Sequence, residues 1–276
     1  MTGHPYAARR AAFRKLHESG CFLIPNPWDR GSARALGKLG FKALATTSSG
    51  YAWAHAKPDH APDVDEVLAH CRAIVEASGL PVNADFEDGH AHDIDGLQKN
   101  VRRCIETGIA GLSIEDSTGE ASQPLYDFDE AVARMRAARA AIDASGEDVM
   151  LIGRAECFLI GHDDPLKESI GRLRAYAEAG ADCLYAPGAG QPEQIRAIVE
   201  AVAPKPVNVL VGRAAPSTLD DFAKLGVRRV SVGGALAGSA WGGFLRAARG
   251  LAEGRFDGFA DNASHGELNG LFDAAP

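Results

Sequence analysis

Acidic side chains follow two short apolar segments of the sequence, and their spacing could bind a cation. Asp85 ends the first segment and Glu115 ends the second. Alternate side chains of a strand share one face, so Asn83 would point the same way as Asp85. Ser113 would likewise share a face with Glu115. Carboxylates stacked at the ends of two strands are costly unless a cation neutralises them. An oxygen-only cluster without paired histidines favours Mg²⁺, with Mn²⁺ as an alternative, over zinc.

These charged residues also have purely structural interpretations. Asp85 or Glu115 could instead cap the helix that follows its strand. Arg154, which ends another apolar segment, could simply pair with nearby acids, although an arginine at the end of a buried strand favours a binding role. His90 and His92 form a His-x-His pattern, but no further histidine is placed to complete a zinc set. We therefore expect both histidines in a surface loop.

Side chains suited to an anion follow other apolar segments. Residues 46–50 (Thr-Thr-Ser-Ser-Gly) combine hydroxyls with a glycine and could hold a carboxylate through side-chain and backbone donors. Asp59 lies further along the same predicted loop, and Arg213 follows Gly212 at the end of a later segment. Residues 231–235 contain two glycines, which predict either a phosphate cradle or a tight strand-helix turn. Together, the acids, cations and hydroxyls indicate a site for a small, multiply charged acid.

The composition of the 276-residue chain limits its partners and its compartment. A formal charge of −8 and a pI near 5.6 argue against a nucleic-acid partner, which would need a basic surface. Four basic residues predict a short N-terminal helix with a solvated face: Arg9, Arg10, Arg14 and Lys15. The sequence shows neither a signal peptide nor a stretch long enough to span a bilayer, so no membrane partner is expected. Five widely spaced cysteines indicate buried thiols in a reducing, cytoplasmic compartment.

One local pattern recurs along the chain: the end of a helix, a glycine, and then a short apolar strand. The glycines at this position, where a left-handed backbone closes a helix, are Gly40, Gly108, Gly180 and Gly226. The apolar runs that follow are too short for helices and too uniformly apolar for a sheet that faces water. Eight strands are predicted, at residues 21–24, 41–45, 81–85, 111–115, 149–154, 183–186, 207–211 and 229–232.

Amphipathic helices are predicted between these strands, for example at residues 63–78, 129–145, 165–179 and 192–202. Eight alternations predict an α/β fold, a (β/α)₈ or TIM barrel, with a doubly wound open sheet as the alternative. No low-complexity linker divides the chain, so residues 1–276 are interpreted as one barrel domain with a C-terminal helical extension at about 257–276. In such a barrel, functional groups lie at the carboxyl ends of the strands.

Several segments, in this order, resemble the isocitrate lyase and phosphoenolpyruvate mutase superfamily. The similar segments are residues 25–29, 41–50, 81–89, 108–116, 152–161 and 206–232. The resemblance implies a (β/α)₈ barrel that binds Mg²⁺ beside a small 2-oxo acid or a related dicarboxylate and stabilises an enolate. It also implies a homotetramer or homodimer whose terminal helix is exchanged between neighbouring subunits.

The resemblance further assigns roles to individual residues. It implies that Asp85 and Glu115 bind the metal. Asn83 stands where the family has the first aspartate of an Asp-x-Asp pair, so it would act on the metal through water. Arg154 and Asp59 correspond to residues with catalytic roles. The residues that would hold the substrate carboxylate are Thr47, Ser48, Ser49 and Gly50, together with Arg154.

The loop after Glu115 departs from the family pattern. Isocitrate and methylisocitrate lyases carry a Lys-Lys/Arg-Cys-Gly-His motif there, and phosphonate mutases carry lysine and asparagine, whereas residues 116–124 contain none of these side chains. We therefore expect a carbon–carbon lyase that decarboxylates a β-oxo acid such as oxaloacetate, because that step needs no acid for the leaving group. Cleavage of a 2-hydroxy dicarboxylate of the methylisocitrate type ranks second, and phosphonate or phosphoenolpyruvate mutase or hydrolase chemistry ranks third. A non-catalytic 2-oxo acid binding protein is the alternative of another class.

Overall fold

Eight short parallel strands form the centre of the protein, in a computed structural model that describes residues 6–272. The strands are β1 Phe22–Ile24, β2 Leu44–Ala45, β3 Val82–Asp85, β4 Gly111–Glu115, β5 Met150–Arg154, β6 Cys183–Tyr185, β7 Val207–Leu210 and β8 Arg229–Ser231. Their order in the sheet is β1-β8-β7-β6-β5-β4-β3-β2. The amide of Ala45 donates to the carbonyl oxygen of Pro25 at 3.1 Å, which joins the two remaining edges. The (β/α)₈ barrel is confirmed, and the open-sheet alternative is excluded.

Helices connect successive strands and surround the barrel. They are α1 Ala7–Leu16, α2 Arg30–Lys38, α3 Ser48–Ala54, α4 Val64–Ser78, α5 Ile94–Ile105, α6 Phe128–Ser145, α7 Pro165–Glu178, α8 Pro192–Val202, α9 Leu219–Lys224, α10 Ala235–Ala252 and α11 His265–Phe272. The four helices predicted from amphipathic patterns correspond to α4, α6, α7 and α8 to within one residue at each end. The boundaries follow local signals, such as Asp63, whose side chain accepts a hydrogen bond from the amide of Glu66 at the start of α4.

The glycines that precede strands adopt the predicted left-handed backbone. The φ angles are 90° at Gly40, 91° at Gly108, 103° at Gly180 and 85° at Gly226. A side chain would be strained in this region of φ/ψ space, and glycine is not. Each helix can therefore end and turn directly into the next strand, which keeps the connections short and the strand ends aligned.

The amino end of the barrel is closed by α1. Phe13 is fully buried and packs in one cluster with Ala110, Met150 and Cys183, which lie at or just before the amino ends of their strands. Because this end is filled with apolar side chains, the open space lies toward the carboxyl ends of the strands.

The solvated face predicted for α1 is wrong for Arg10. Its side chain is almost fully buried, and the guanidinium donates to the carbonyl oxygens of Ile109 at 3.0 Å and Ile105 at 3.1 Å and pairs with Glu147. These carbonyls lie at and beyond the end of α5, where a helix leaves acceptors unpaired. A basic residue on a short amphipathic helix therefore acts here as a buried donor.

The tail forms a 3₁₀ turn at Asp257–Phe259 followed by α11, which packs against α2. Residues 273–276 of the predicted extension lie outside the described residues. Within residues 6–272, none of the helices combines the length and the apolar character that a bilayer crossing requires.

Candidate active site

Three charged residues converge at the carboxyl ends of β3, β4 and β5. Arg154 is paired in register with Glu115 on the neighbouring strand. Its Nη1 lies 3.2 Å from Asp85 Oδ1 and 3.0 Å from Glu115 Oε2, and its Nε pairs with Glu156. The sequence placed these side chains at the ends of adjacent strands, and the barrel brings them into direct contact.

Neither metal-ligand candidate caps the helix that follows its own strand. Asp93 caps α5 by accepting from the amide of Gly96, eight residues after Asp85, and α6 begins only at Phe128. The alternative in which Arg154 pairs with nearby acids is what the structure shows. Its positive charge offsets only one of the three carboxylates, so the cluster would carry a negative excess with all three ionised.

Burial dominates the electrostatics of the cluster. Glu115 is 4% exposed, and loss of solvent raises its pKa well above the usual range, while the charge of Arg154 acts in the opposite direction. Burial also raises the pKa of Glu156, again opposed by Arg154. A further cation that entered this cluster would favour the ionised carboxylates.

The hydroxyl segment after β2 forms the start of α3, a helix that was not predicted. Thr47 is the N-cap, and its side chain accepts from the amide of Gly50 at 3.3 Å. The amide of Ser48 donates to Asp85 Oδ2 at 3.1 Å, so the segment is tied to the carboxylate cluster. A Cβ on Gly50 would lie 2.7 Å from Thr47 Cγ2, which shows that tight packing requires this glycine. Gly50 does not line the cavity beside this segment, whereas Ser48 and Ser49 do.

A cavity of about 160 Å³ lies among these side chains and extends into the barrel. The candidate residues that line it are Thr47, Ser48, Ser49, Asp59, Asn83, Asp85 and Arg154. Sequence reasoning missed several other lining residues, namely Asn26, Tyr185, Asn208, Arg229 and Ser231. The signal for the last three was polar side chains at alternate positions of apolar strands, Asn208 in β7 and Arg229 and Ser231 in β8.

The loop before α4 brings an imidazole close to the acids. His60 Nδ1 lies 3.3 Å from Glu87 Oε2, and this hydrogen bond is the largest cause that raises the pKa of His60 to about 9. His90 Nδ1 lies 3.9 Å from the same oxygen, and its side chain is mostly buried. The prediction of a surface loop is therefore wrong for His90, because Glu87 and His90 both adopt positive φ and fold the loop inward. His92 is exposed, as predicted.

Asp88 and Asp116, which follow Asp85 and Glu115 in the sequence, hold loops in place. Asp88 accepts from the hydroxyl of Tyr126 at 2.8 Å and pairs with Arg134. Asp116 accepts from the hydroxyl of Tyr176 at 2.6 Å and from Arg172 at 3.1 Å. Both carboxylates have their hydrogen-bonding capacity occupied by the protein, which indicates a structural role.

Comparison with known proteins agrees with this geometry. A family model described as phosphoenolpyruvate phosphomutase matches residues 13–252. The chain belongs to this family. It is part of the phosphoenolpyruvate mutase and isocitrate lyase superfamily, whose members include lyases and mutases.

Individual relatives cover most of the chain. An uncharacterised protein of Mycobacterium tuberculosis is 32% identical over 225 residues, which are 80% of this chain and 81% of the relative. Oxaloacetate decarboxylase of Paraburkholderia xenovorans is 30% identical over 234 residues, 82% of this chain and 75% of that enzyme. A crystal structure from Burkholderia cenocepacia, described no more closely than as a lyase or mutase, has a TM-score of 0.94 and 45% identity and covers 98% of both chains.

The oxygen donors of this family member suit a hard cation that keeps water ligands. Within residues 6–272, no group of three or more His, Cys, Asp or Glu side chains is arranged to hold a metal ion by itself. Asp85 and Glu115 offer two carboxylates, and Asn83 Oδ1 is buried without a hydrogen-bond partner in the described part of the chain. Mg²⁺ commonly uses one or two carboxylates and completes its shell with water and substrate. The donors present therefore fit Mg²⁺.

Proposed function

We propose that this protein is a Mg²⁺-dependent carbon–carbon lyase, with Mn²⁺ as a possible substitute, that acts on a small 2-oxo or 2-hydroxy dicarboxylic acid through an enolate. The observation that carries the proposal is the convergence of Asp85, Glu115 and Arg154 beside the hydroxyl segment at the open end of the barrel. Membership of a superfamily of lyases and mutases supports it.

The metal would be held by Asp85 and Glu115, with Asn83 acting through water. When bound, Mg²⁺ supplies Lewis-acid stabilisation of negative charge on an oxygen of the substrate. Arg154 would orient the substrate and support the charge of the enolate, and the hydroxyls of Ser48 and Ser49 would donate to a carboxylate. Asp59, whose side chain is 38% exposed, lines the same cavity and would be the second catalytic residue. Removing one preorganised hydrogen-bond donor, such as Arg154 or the hydroxyl of Ser48, typically costs roughly 3 kcal/mol of transition-state stabilisation.

Decarboxylation of a β-oxo acid of the oxaloacetate type fits the residues best. The bond between the β-carbon and its carboxylate breaks, CO₂ leaves, and the electron pair becomes the enolate, which then takes a proton from water. No general acid is required for the leaving group. The loop after β4 places no general acid in the 160 Å³ cavity, because its residues Ser117, Thr118, Gly119 and Glu120 line a second space of about 480 Å³. Glu115 lines this second space and reaches the cavity cluster through its contact with Arg154.

The test is to incubate the pure protein with Mg²⁺ and oxaloacetate and to follow pyruvate by NMR. Free Mg²⁺ promotes the same reaction, so a blank with metal and no protein is subtracted. Asp85→Asn should reduce the protein-dependent rate by at least a hundredfold. Asp65→Asn is the matched control, because Asp65 is exposed, pairs with Arg103 on the surface and does not line the cavity. Equal rates for wild type, Asp85→Asn and the blank would refute decarboxylation.

Two other functions have specific support. A non-catalytic 2-oxo acid binding protein is supported by the arrangement of Arg154, whose donors already contact Asp85, Glu115 and Glu156. Phosphonate or phosphoenolpyruvate mutase or hydrolase chemistry is supported by Gly233 and Gly234, which line the cavity. Ranking 2-oxo, 2-hydroxy dicarboxylic and phosphonate acids by thermal shift with Mg²⁺ separates phosphonate from carboxylate ligands, because ligands that bind the native state stabilise it. Protein-dependent production of pyruvate from oxaloacetate would exclude a purely non-catalytic binding protein.

We also propose that the chain forms a homotetramer or homodimer in the cytoplasm. An apolar surface on α10, the 3₁₀ turn and α11 would be covered by a second copy, and its exposed side chains are Trp241, Phe244, Leu245, Leu251, Phe256, Phe259, Leu268 and Phe272. Large apolar side chains exposed in such number are typical of protein–protein interfaces. Phe244→Asp should shift the mass measured by light scattering toward the monomer, and an unchanged mass would refute this interface. The five cysteines are free thiols, four of them buried, which supports a reducing compartment.

A further inference from the structure

Arg229 differs from the other buried arginines in having no acidic partner. Four arginines are buried in the described part of the chain: Arg10, Arg134, Arg172 and Arg229. The first three pair with Glu147, Asp88 and Asp116, respectively. Arg229 is 3% exposed and forms no ion pair within residues 6–272. Its Nε donates to Asn208 Oδ1 at 2.8 Å, and its Nη1 lies 3.4 Å from His17 Nε2.

The groups around Arg229 are neutral. The ring of His17 bonds through Nδ1 to the carbonyl oxygen of Phe13, so Nε2 is the acceptor that faces Arg229. Burial, followed by the charge of Arg229, lowers the pKa of His17 to about 3. Burial also raises the pKa of Tyr185 to about 12 and raises that of Cys183. Neither the imidazole, the phenol nor the thiol therefore supplies a negative charge at neutral pH.

An uncompensated buried charge is expensive, so its position in the molecule is informative. Arg229 is the first residue of β8, and it lines the inner end of the cavity that Arg154 lines nearer the mouth. The strand register connects the two arginines through Tyr185 and Asn208. Arg154 contacts three carboxylates, whereas Arg229 contacts none. Nη2 of Arg229 forms no hydrogen bond with any residue that the structure describes. An anion that enters the cavity would therefore find its unneutralised cation at the inner end.

We propose that Arg229 forms an inner anion subsite that binds one carboxylate of a small dicarboxylate, with the other carboxylate directed to the mouth. Asn208 positions the guanidinium of Arg229, because Asn208 Oδ1 accepts from Arg229 Nε. The amide nitrogen of Asn208 donates to Ser231 Oγ at 3.0 Å, which holds the Asn208 side chain in place. The subsite rests on the proposed function only in taking this cavity as the substrate site. A free inorganic anion offers the same charge, and the experiment below distinguishes it from a dicarboxylate.

The probe is malonate, titrated by calorimetry in the presence of EDTA so that protein cations alone account for binding. Wild type should bind malonate, and Arg229→Met should weaken binding at least tenfold. Acetate and chloride, which carry one negative charge each, are the control ligands and should bind far more weakly than malonate. Equal affinity of wild type and Arg229→Met for malonate, or no binding to wild type, would overturn the subsite. Chloride binding that matches and competes with malonate would also overturn it, in favour of an inorganic anion.

Stability without ligand provides the second measurement. Because Arg229 has no counter-charge, Arg229→Met should melt at the same temperature as wild type or higher. The matched control is Arg10→Met, which removes the ion pair with Glu147 and the hydrogen bonds to the carbonyls of Ile105 and Ile109, and it should lower the melting temperature while keeping malonate affinity. If the melting temperature of Arg229→Met falls as much as that of Arg10→Met, or if Arg229→Met does not fold, Arg229 has a structural role and the subsite is refuted. Arg229→Gln, which keeps polar contacts but removes the charge, should also lose malonate binding.

The result is independent of turnover. Malonate binding that depends on Arg229, in a protein that does not decarboxylate oxaloacetate, would refute the proposed reaction and leave the subsite intact. Decarboxylation that continues unchanged in Arg229→Met would refute the subsite and leave the proposed reaction intact.

Discussion

Arg154→Met should strongly destabilise the protein, because Arg154 is the shared cation of a buried acidic cluster. Its guanidinium contacts Asp85, Glu115 and Glu156, and its side chain is only 16% exposed. Removing one partner of a buried pair costs about 3–5 kcal/mol, since the remaining charge stays uncompensated. At about 2–4 °C per kcal/mol for chains of roughly this size, the melting temperature should fall by at least about 6 °C.

Calorimetry or urea unfolding measures this difference, with Arg103→Met as the control. Arg103 pairs with Asp65 on the surface, where ion pairs contribute about 0–1 kcal/mol. Burial already raises the pKa of Glu115, so protonation at low pH would remove the uncompensated charge. The deficit of Arg154→Met relative to wild type should therefore shrink as the pH falls. A deficit equal to that of Arg103→Met, or one that grows at low pH, would contradict the reasoning.

Three further predictions concern the metal, the packing and the pH dependence. Asp85→Ala and Glu115→Ala should each weaken Mg²⁺ binding at least tenfold by titration calorimetry, and unchanged affinity in both would remove the metal assignment. Gly50→Ala should lower the free energy of unfolding by about 1–3 kcal/mol, because its Cβ would lie 2.7 Å from Thr47 Cγ2. His17 has a pKa of about 3 when folded, below its unfolded value, so it removes stability as the pH falls from about 6.5 toward 3. His17→Gln should therefore flatten that part of the stability curve by up to about 1.4 kcal/mol per pH unit, measured by urea unfolding; an unchanged slope would contradict this.

The sequence predicts the barrel and the convergence of the acids because both depend on local patterns. Strand β4 has the predicted bounds of 111–115, and helix α8 has the predicted bounds of 192–202. In a barrel, the carboxyl ends of neighbouring strands meet at one edge, so Asp85, Glu115 and Arg154 had to lie close together. Strand β2 is shorter than predicted, two residues instead of five, since an apolar run does not show where strand pairing begins.

The inner end of the cavity could not be derived in the same way. Its residues come from β6, β7 and β8, and their contacts depend on strand register, which apolar patterns do not specify. Arg229 was part of a predicted strand, but the sequence does not show whether a buried arginine has an acidic partner, as Arg10 does, or lacks one. The absence of a counter-charge among the described residues is a property of three-dimensional packing.

The two ends of the cavity carry opposite charge excesses, and this restricts how a ligand can bind. Near the mouth, Asp85 lines the cavity, and behind it Glu115 and Glu156 contact the same Arg154 guanidinium. With these carboxylates ionised, an excess of negative charge remains that a divalent cation would neutralise. At the inner end, Arg229 carries a positive charge without an acid. A dicarboxylate that bound Mg²⁺ with one carboxylate and Arg229 with the other would neutralise both excesses, whereas a monocarboxylate would neutralise only one. Selectivity for dicarboxylates should therefore follow from charge, and malonate should bind more tightly than acetate both with Mg²⁺ and with EDTA.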